Sequence, residues 1–141
     1  MAAKIKLDIE TMKCISLFGK ITKVTAKDCF KQDKKLIFIV DEGKAGMAVG
    51  KKGANIKKLE KLLNKKVKII EQSDDLIEFV KNVIYPLKAK EISENEGIVT
   101  IVPIDNKTRG YLIGREASNL RNYEEVVKRY FDIEELKVSQ S

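Results

Sequence analysis

The chain contains two copies of one sequence pattern, separated by 64 residues. The matched pairs are Gly46 and Gly110, Val49 and Ile113, Gly50 and Gly114, Asn55 and Asn119, and Ile56 and Leu120. Self-similarity at a fixed spacing indicates a repeated structural unit. A chain of 141 residues has room for two small units of this kind. We therefore predict one unit over residues 1–72 and a second over residues 73–141.

Hydrophobic periodicity predicts the same order of helices and strands in both halves. In the first half it predicts helices over 8–21, 44–49 and 54–63 and strands over 22–30, 34–40 and 67–71, with Asp8 capping the first helix. In the second half it predicts helices from 73 to Pro86, over 106–113 and over 118–130, and strands over 88–92, 97–104 and 133–138. The order is α-β-β-α-loop-α-β twice. The unbroken apolar run over 34–40 predicts burial on both faces, and Glu94 and Glu96 are expected in a turn.

A glycine-containing loop joins two predicted helices in each half. The first loop, residues 50–53, reads GKKG and leads directly into an amphipathic helix. Glycines allow a tight turn and close approach to a ligand, while helix amides and lysines attract an anion. The second loop, residues 114–117, reads GREA, with an acidic residue where phosphate would lie. The first loop therefore predicts a site for a phosphate backbone, whereas the second either binds weakly or only caps its helix.

Charge is distributed unevenly between the two halves. Residues 1–70 carry 18 lysines and seven acidic residues, a net charge of +11. Residues 71–141 carry ten basic and 14 acidic residues, a net charge of −4. This asymmetry favours a polyanionic partner bound mainly by the first half.

Nucleotide-binding and catalytic patterns fit the sequence less well. A P-loop reads GxxxxGK followed by Ser or Thr, but this chain has one residue too few between its glycines and a lysine in place of the hydroxyl. A dinucleotide site needs GxGxxG, which is absent, although Glu71 lies near the spacing of a ribose-binding carboxylate. The chain has no histidine, and Cys14 and Cys29 form no metal-binding pair. We expect no enzyme activity, catalytic residue, metal or cofactor, and two reduced, buried cysteines.

The segments around the first loop resemble the K-homology (KH) family of RNA-binding domains. The resemblance rests on residues 9–75, with Phe18, AKDC at 26–29, GKKG at 50–53 and KKLE at 57–60, and on RYFDI at 129–133. It implies an α+β fold of two type II KH domains in tandem, each α-β-β-α-α-β with helices packed on a three-stranded sheet. The tandem pair is similar to the archaeal family of NusA-like transcription proteins.

The resemblance also implies a binding mode, in which the loop holds the sugar-phosphate backbone of about four single-stranded nucleotides and an apolar groove holds their bases. Carried over by position, the first loop contributes Gly50, Lys51, Lys52 and Gly53. Ile56 would form part of the groove floor or belong to the core. Candidate phosphate contacts are Lys44, Lys57 and Lys58. The corresponding second-loop residues are Gly114, Arg115, Glu116 and Ala117.

The expected function is a single-stranded RNA-binding factor in transcription elongation or termination. The alternative is a protein-interaction module that docks on RNA polymerase or a ribosome-associated complex. No apolar run approaches the length of a membrane span and the N-terminus lacks a signal-peptide pattern. We therefore expect a cytoplasmic monomer that does not associate with membranes.

Overall fold

The computed structural model describes residues 9–140. Contacts divide these residues into two compact units, and the division falls between Ser73 and Asp74. We call residues 9–73 the first unit and residues 74–140 the second unit. Asp8, the predicted cap of the first helix, lies outside the described residues.

The first unit has the predicted order of elements. Its helices are α1 (Ile9–Thr22), α2 (Ala45–Val49) and α3 (Ala54–Leu63), and its strands are β1 (Ala26–Gln32), β2 (Lys35–Val40) and β3 (Lys66–Glu71). A 3₁₀ turn (Lys51–Gly53) joins α2 to α3. Thr22 closes α1 instead of opening the first strand, because its hydroxyl donates to the Phe18 carbonyl, 2.8 Å away.

The second unit repeats this order, as the sequence predicts. Its helices are α4 (Leu76–Ile84), α5 (Asn106–Ile113) and α6 (Ser118–Tyr130), and its strands are β4 (Ala89–Asn95), β5 (Ile98–Pro103) and β6 (Glu135–Val138). A 3₁₀ turn (Arg115–Ala117) joins α5 to α6. Asp75 caps α4 by accepting a hydrogen bond from the Glu78 amide.

Each unit contains one three-stranded sheet in which the strands lie side by side in sequence order, β1-β2-β3 and β4-β5-β6. In the first sheet β2 pairs antiparallel with β1 and parallel with β3. In the second sheet β5 pairs antiparallel with β4 and parallel with β6. Each antiparallel pair has a register shift near the start of its first strand, at Ala26/Asp28 and at Ala89/Glu91. These sheets and their helices confirm the predicted α+β class.

The core of the first unit lies between its helices and one face of its sheet. Phe18 of α1 stacks on Phe38 of β2, with ring centroids 4.4 Å apart. Ala48 of α2 and Leu59 of α3 belong to the same buried cluster. The other face of β2 is buried too, since Ile37 is 1% exposed. This burial confirms the prediction made from the apolar run over 34–40.

In each unit a glutamate joins the helix after the loop, α3 or α6, to the strand that follows it. The Glu60 carboxylate accepts a hydrogen bond from the Val67 amide at 2.9 Å. The Glu124 carboxylate, 64 residues later, accepts one from the Leu136 amide at the same distance. In the second unit the Phe79 ring also packs against Tyr130, with ring centroids 5.5 Å apart. The two glutamates hold the helix after each loop against its sheet, and the aromatic contact packs α6 against α4.

The structure corrects one predicted turn. Strand β4 continues to Asn95, so Glu94 lies in the strand and only Glu96 lies in the turn. The Glu94 carboxylate accepts a hydrogen bond from the Gly97 amide at 2.7 Å, which satisfies a polar side chain at the end of the hairpin. Gly97 has φ +85 and closes this turn in a conformation that favours glycine.

Candidate nucleic-acid interface

The first glycine of the first loop has a backbone conformation that only glycine adopts readily. Gly50 has φ 81 and ψ 166, a region essentially restricted to glycine. A Cβ atom at this position would lie 2.8 Å from Cγ of Asn55 and 3.0 Å from its amide nitrogen. Gly50 therefore permits both the turn and the close approach of α3.

The remainder of the first loop is a tight left-handed turn. Lys52 has φ 55 and Gly53 has φ 72, so two successive residues are in the left-handed region. The Gly53 amide donates to the Gly50 carbonyl at 3.1 Å. This turn reverses the chain between α2 and α3 and leaves both lysine side chains exposed.

An asparagine side chain ties the two ends of the first loop together. Nδ2 of Asn55, in the first turn of α3, donates to the carbonyl of Met47 in α2 at 3.3 Å. A glutamate fixes the start of α2, because the Glu71 carboxylate accepts a hydrogen bond from the Ala45 amide at 3.3 Å. Glu71 therefore holds the helix ahead of the loop.

Five exposed lysines lie in or beside the first loop: Lys44, Lys51, Lys52, Lys57 and Lys58. Within residues 9–140, no carboxylate forms an ion pair with any of them. Their charges are therefore available to an anion from solution. Ile56, on the first turn of α3, is half-buried and lies outside the core cluster defined for the described first unit.

The second loop has nearly the same backbone as the first. Gly114 has φ 74 and ψ 179, and a Cβ atom there would lie 2.7 Å from Cγ of Asn119. Nδ2 of Asn119 donates to the Tyr111 carbonyl at 2.8 Å. The Asp105 carboxylate caps α5 by accepting a hydrogen bond from the Thr108 amide at 2.7 Å, which lowers the pKa of Asp105.

The side chains of the second loop differ from those of the first. Glu116 has φ 52 and Ala117 has φ 61, so the left-handed turn persists without the last glycine. A non-glycine residue in this region is disfavoured by roughly 1–2 kcal/mol. Arg115 and Glu116 are both exposed. Their formal charges are opposite and sum to zero. The backbone of the loop is retained while its positive charge is lost.

A second basic feature lies at the other end of α3. An open cleft of about 350 Å³ is lined by Lys34, Glu60, Asn64, Lys65 and Lys66. Asn64 ends α3 in the left-handed conformation, with φ 55. Nearby on β3, burial and the charge of Lys35 lower the pKa of the Lys68 ammonium from 10.5 to about 8. The first unit therefore carries positive charge at both ends of α3.

One of the two cysteines is less buried than the sequence predicts. Cys29 is buried and Cys14 is only half-buried, and neither forms a disulfide bond within the described residues. No group of three or more potential metal-ligating side chains occurs in the part of the chain that the structure describes. No helix over residues 9–140 is long and apolar enough to span a membrane.

Two site features were not identified from sequence. The first is the role of Asn55 and Asn119. The available signal was that both units have asparagine at the same position of the repeat. The exposed side chains of Met47 and Tyr111, at equivalent positions three residues before each loop, were also missed. Their exposure depends on how the preceding helix packs, which periodicity over so short a helix does not reveal.

Comparison with known proteins identifies the class to which this fold and loop belong. Residues 14–97 match the family model described as KH domain. The match contains the first loop and its flanking helices and extends to the turn between β4 and β5. It covers more than half of the chain.

Relatives that match nearly the whole chain narrow the family further. The chain is 35% identical to a protein of Methanocaldococcus jannaschii named "Probable transcription termination protein NusA", covering 96% of this chain and 76% of that one. It is 32% identical to a protein of the same name from Methanococcus vannielii, with coverages of 96% and 80%. The crystal structure of APE1850 superposes with a TM-score of 0.76 at 32% identity, covering 94% of this chain and all of that chain. The chain belongs to the KH family and, within it, to the NusA-like proteins of archaea.

Proposed function

We propose that this protein is a single-stranded RNA-binding factor that acts in transcription elongation or termination in the cytoplasm. The observation that carries the proposal is the first loop, where a glycine-dependent turn exposes Lys51 and Lys52 without a carboxylate partner among the described residues. Loops of this kind in KH domains bind the backbone of about four nucleotides. The relatives named as probable transcription termination proteins support the process in which it acts.

In this proposal the residues of the first loop have separate roles. Gly50 and Gly53 permit the backbone to approach the phosphates, and Lys51 and Lys52 neutralise them. Lys44, Lys57 and Lys58 extend the positive surface on either side of the loop. Ile56 contributes apolar surface next to the bases, and its partial exposure favours this role over a purely structural one.

The second unit is proposed to be a second type II KH domain, in tandem with the first. The support is its element order, its sheet topology and its loop conformation, each of which matches the first unit. Its loop residues Gly114, Arg115, Glu116 and Ala117 would bind the phosphate backbone more weakly, because Glu116 repels phosphate.

Binding to a fluorescent single-stranded RNA tests the role of the first loop. The double variant K51D/K52D is expected to lose RNA binding and to retain the thermal unfolding midpoint of the parent, since both side chains are exposed. Aspartate is suited to position 52 because it tolerates the left-handed conformation better than most residues. For the parent protein, log affinity should fall with log salt by roughly 0.7 per phosphate contact.

The matched control is K13D/K20D, which changes net charge by the same amount on the exposed side of α1. A general effect of net charge would weaken both variants equally. Unchanged RNA affinity in K51D/K52D would overturn the assignment of the first loop.

A second candidate function is docking on a basic surface of a protein such as RNA polymerase. The observation that favours it is a group of exposed carboxylates around the β4–β5 turn, comprising Glu94, Glu96, Glu134 and Glu135. The Glu134 amide donates to the Gly97 carbonyl at 2.8 Å, so the segment before β6 lies against this turn. Charge reversal at Glu94 and Glu96 in the full chain should reduce capture of purified polymerase while leaving RNA affinity intact. Unchanged capture would count against this candidate.

A further inference from the structure

The second loop keeps a strained conformation that its own charge does not explain. Ala117 remains left-handed at φ 61, although L-residues other than glycine rarely adopt this region. Glu116 cancels the charge of Arg115, so attraction for phosphate is much weaker than at the first loop. The preserved backbone therefore indicates that this loop positions a side chain for a contact other than charge attraction to phosphate.

Tyr111 lies beside this loop and is largely exposed. It is in the last turn of α5, three residues before Gly114, and 55% of its surface is accessible. Its carbonyl accepts the hydrogen bond from Asn119 that ties α5 to α6. The Tyr111 backbone is thus held directly by the loop assembly, while the ring faces solvent.

The equivalent position in the first unit has the same properties. Met47 is 57% exposed, and its carbonyl accepts the corresponding hydrogen bond from Asn55. A large apolar side chain is therefore exposed at the same place beside each loop. The repeat therefore offers a matched comparison of two exposed side chains beside loops of the same backbone conformation.

The two residues differ in the contact they favour. A tyrosine ring offers a flat π-face on which an unpaired base can stack, whereas methionine offers only flexible apolar contact. Arg115, in the second loop, is exposed and forms no ion pair with residues 9–140. An arginine guanidinium can also bind a phosphate or stack on a base. A ring and a cation beside one loop match the chemistry of a nucleotide.

We propose that the second unit binds an unpaired RNA base by stacking it on Tyr111, with Arg115 contacting the adjacent phosphate. This inference rests on the proposed RNA-binding function and assigns to the second unit a binding mode dominated by stacking. The first unit, with its uncompensated lysines, binds chiefly through charge. The two loops would then hold different parts of the same kind of ligand.

Affinity for a single-stranded RNA tests the stacking contact through three single variants of the full chain. Y111A is expected to weaken binding by about tenfold, because base–aromatic stacking contributes substantially and tolerates different sequences. Y111F, which keeps the ring, should bind like the parent. M47A, at the matched position, should weaken binding less than Y111A. Y111A should leave the slope of log affinity against log salt unchanged, because no phosphate contact is lost.

RNAs that lack one base at a time provide a second measurement. For the parent protein, removing the base that stacks on Tyr111 should weaken binding by about the same factor as Y111A. The Y111A variant should be insensitive to the loss of that base. Sensitivity to the same extent in both proteins would overturn the stacking assignment.

The outcomes separate failure of this inference from failure of the proposed function. If Y111A binds RNA like the parent while K51D/K52D does not, the stacking inference is wrong and the function of the first loop stands. If Y111F loses as much affinity as Y111A, the hydroxyl and not the ring is responsible, and the inference is again wrong. If the parent binds no single-stranded RNA, both are wrong.

Discussion

The two loops have the same backbone and different side chains. Gly50 and Gly114 share a conformation near φ 80 and ψ 180, and each packs against an asparagine five residues later. The three residues after this glycine are Lys-Lys-Gly in the first loop and Arg-Glu-Ala in the second. The shared backbone is what the fold requires at a loop, and the side chains are what a ligand requires.

The first and last positions of the GxxG pattern are not equivalent. The first glycine lies in a region that only glycine adopts readily and has no space for a Cβ atom. The last glycine, Gly53, has nothing within 4 Å of an added Cβ atom, and Ala117 adopts a similar conformation in the second unit. Only the first glycine is therefore indispensable for the geometry, and the residues after it are free to follow the ligand.

Alanine at the first glycine should produce the largest change in stability. G50A and G114A are each expected to destabilise the protein by about 2–3 kcal/mol, because the backbone conformation is restricted and the asparagine must move. Unfolding in urea, followed by circular dichroism, measures the change. G46A and G110A are the matched controls, since both lie in helices with open space around them, and they should stabilise by up to about 1 kcal/mol. Equal effects at the two positions of one unit would contradict the assignment of Gly50 and Gly114 as positions that require glycine.

Replacing a half-buried lysine that has an exposed counterpart should have the next largest effect. Lys68 is the third residue of β3 that pairs with β2, and Lys137 is the third residue of β6 that pairs with β5. Lys137, unlike Lys68, is exposed. Because the pKa of Lys68 is lowered to about 8, its charged form opposes folding at neutral pH. K68M is therefore expected to stabilise the protein at pH 7, on the order of 2 kcal/mol after allowance for partial exposure.

The sign of the pH dependence follows from proton binding. Between about pH 8 and pH 10.5 the unfolded chain binds more protons at Lys68 than the folded chain does, so the stability of the parent rises with pH. The advantage of K68M should therefore shrink over this range. Unfolding free energies at several pH values measure it, and K137M should stay within about 0.5 kcal/mol of the parent throughout. A constant advantage of K68M would exclude the titration of Lys68 as its cause.

Exchange of the last loop residue should have the smallest effect. A117G removes left-handed strain of roughly 1–2 kcal/mol but loses about 0.5–1 kcal/mol through the greater flexibility of glycine when unfolded. A net stabilisation of up to about 1.5 kcal/mol is expected, and G53A should show the reverse change. Denaturant midpoints of both variants measure this. If G53A instead lost as much stability as G50A, Gly53 would be required by the fold in the same way as Gly50.

Much of the local structure could be predicted because its causes are local. The bounds of α3, α5 and α6 follow from helical periodicity and from the glycines and caps beside them. Glu94 was assigned wrongly because the polar residues near it are typical of a turn, while pairing with β5 across the hairpin extended the strand. The hydrogen bonds of Asn55 and Glu71 were not predicted, because each joins a side chain to a backbone group elsewhere in the unit.

The amino-acid sequence alone predicts the repeat, the order of the elements, the position of both loops and the excess of positive charge near the first loop. These properties depend on residue type and spacing along the chain, and short-range forces are sufficient to specify them. Three other features depend on the folded packing: Lys68 is half-buried while Lys137 is exposed, Tyr111 is largely exposed, and a loop without its last glycine keeps the left-handed turn. Each of these depends on packing between segments distant in sequence, which supplies the free energy that offsets local preference.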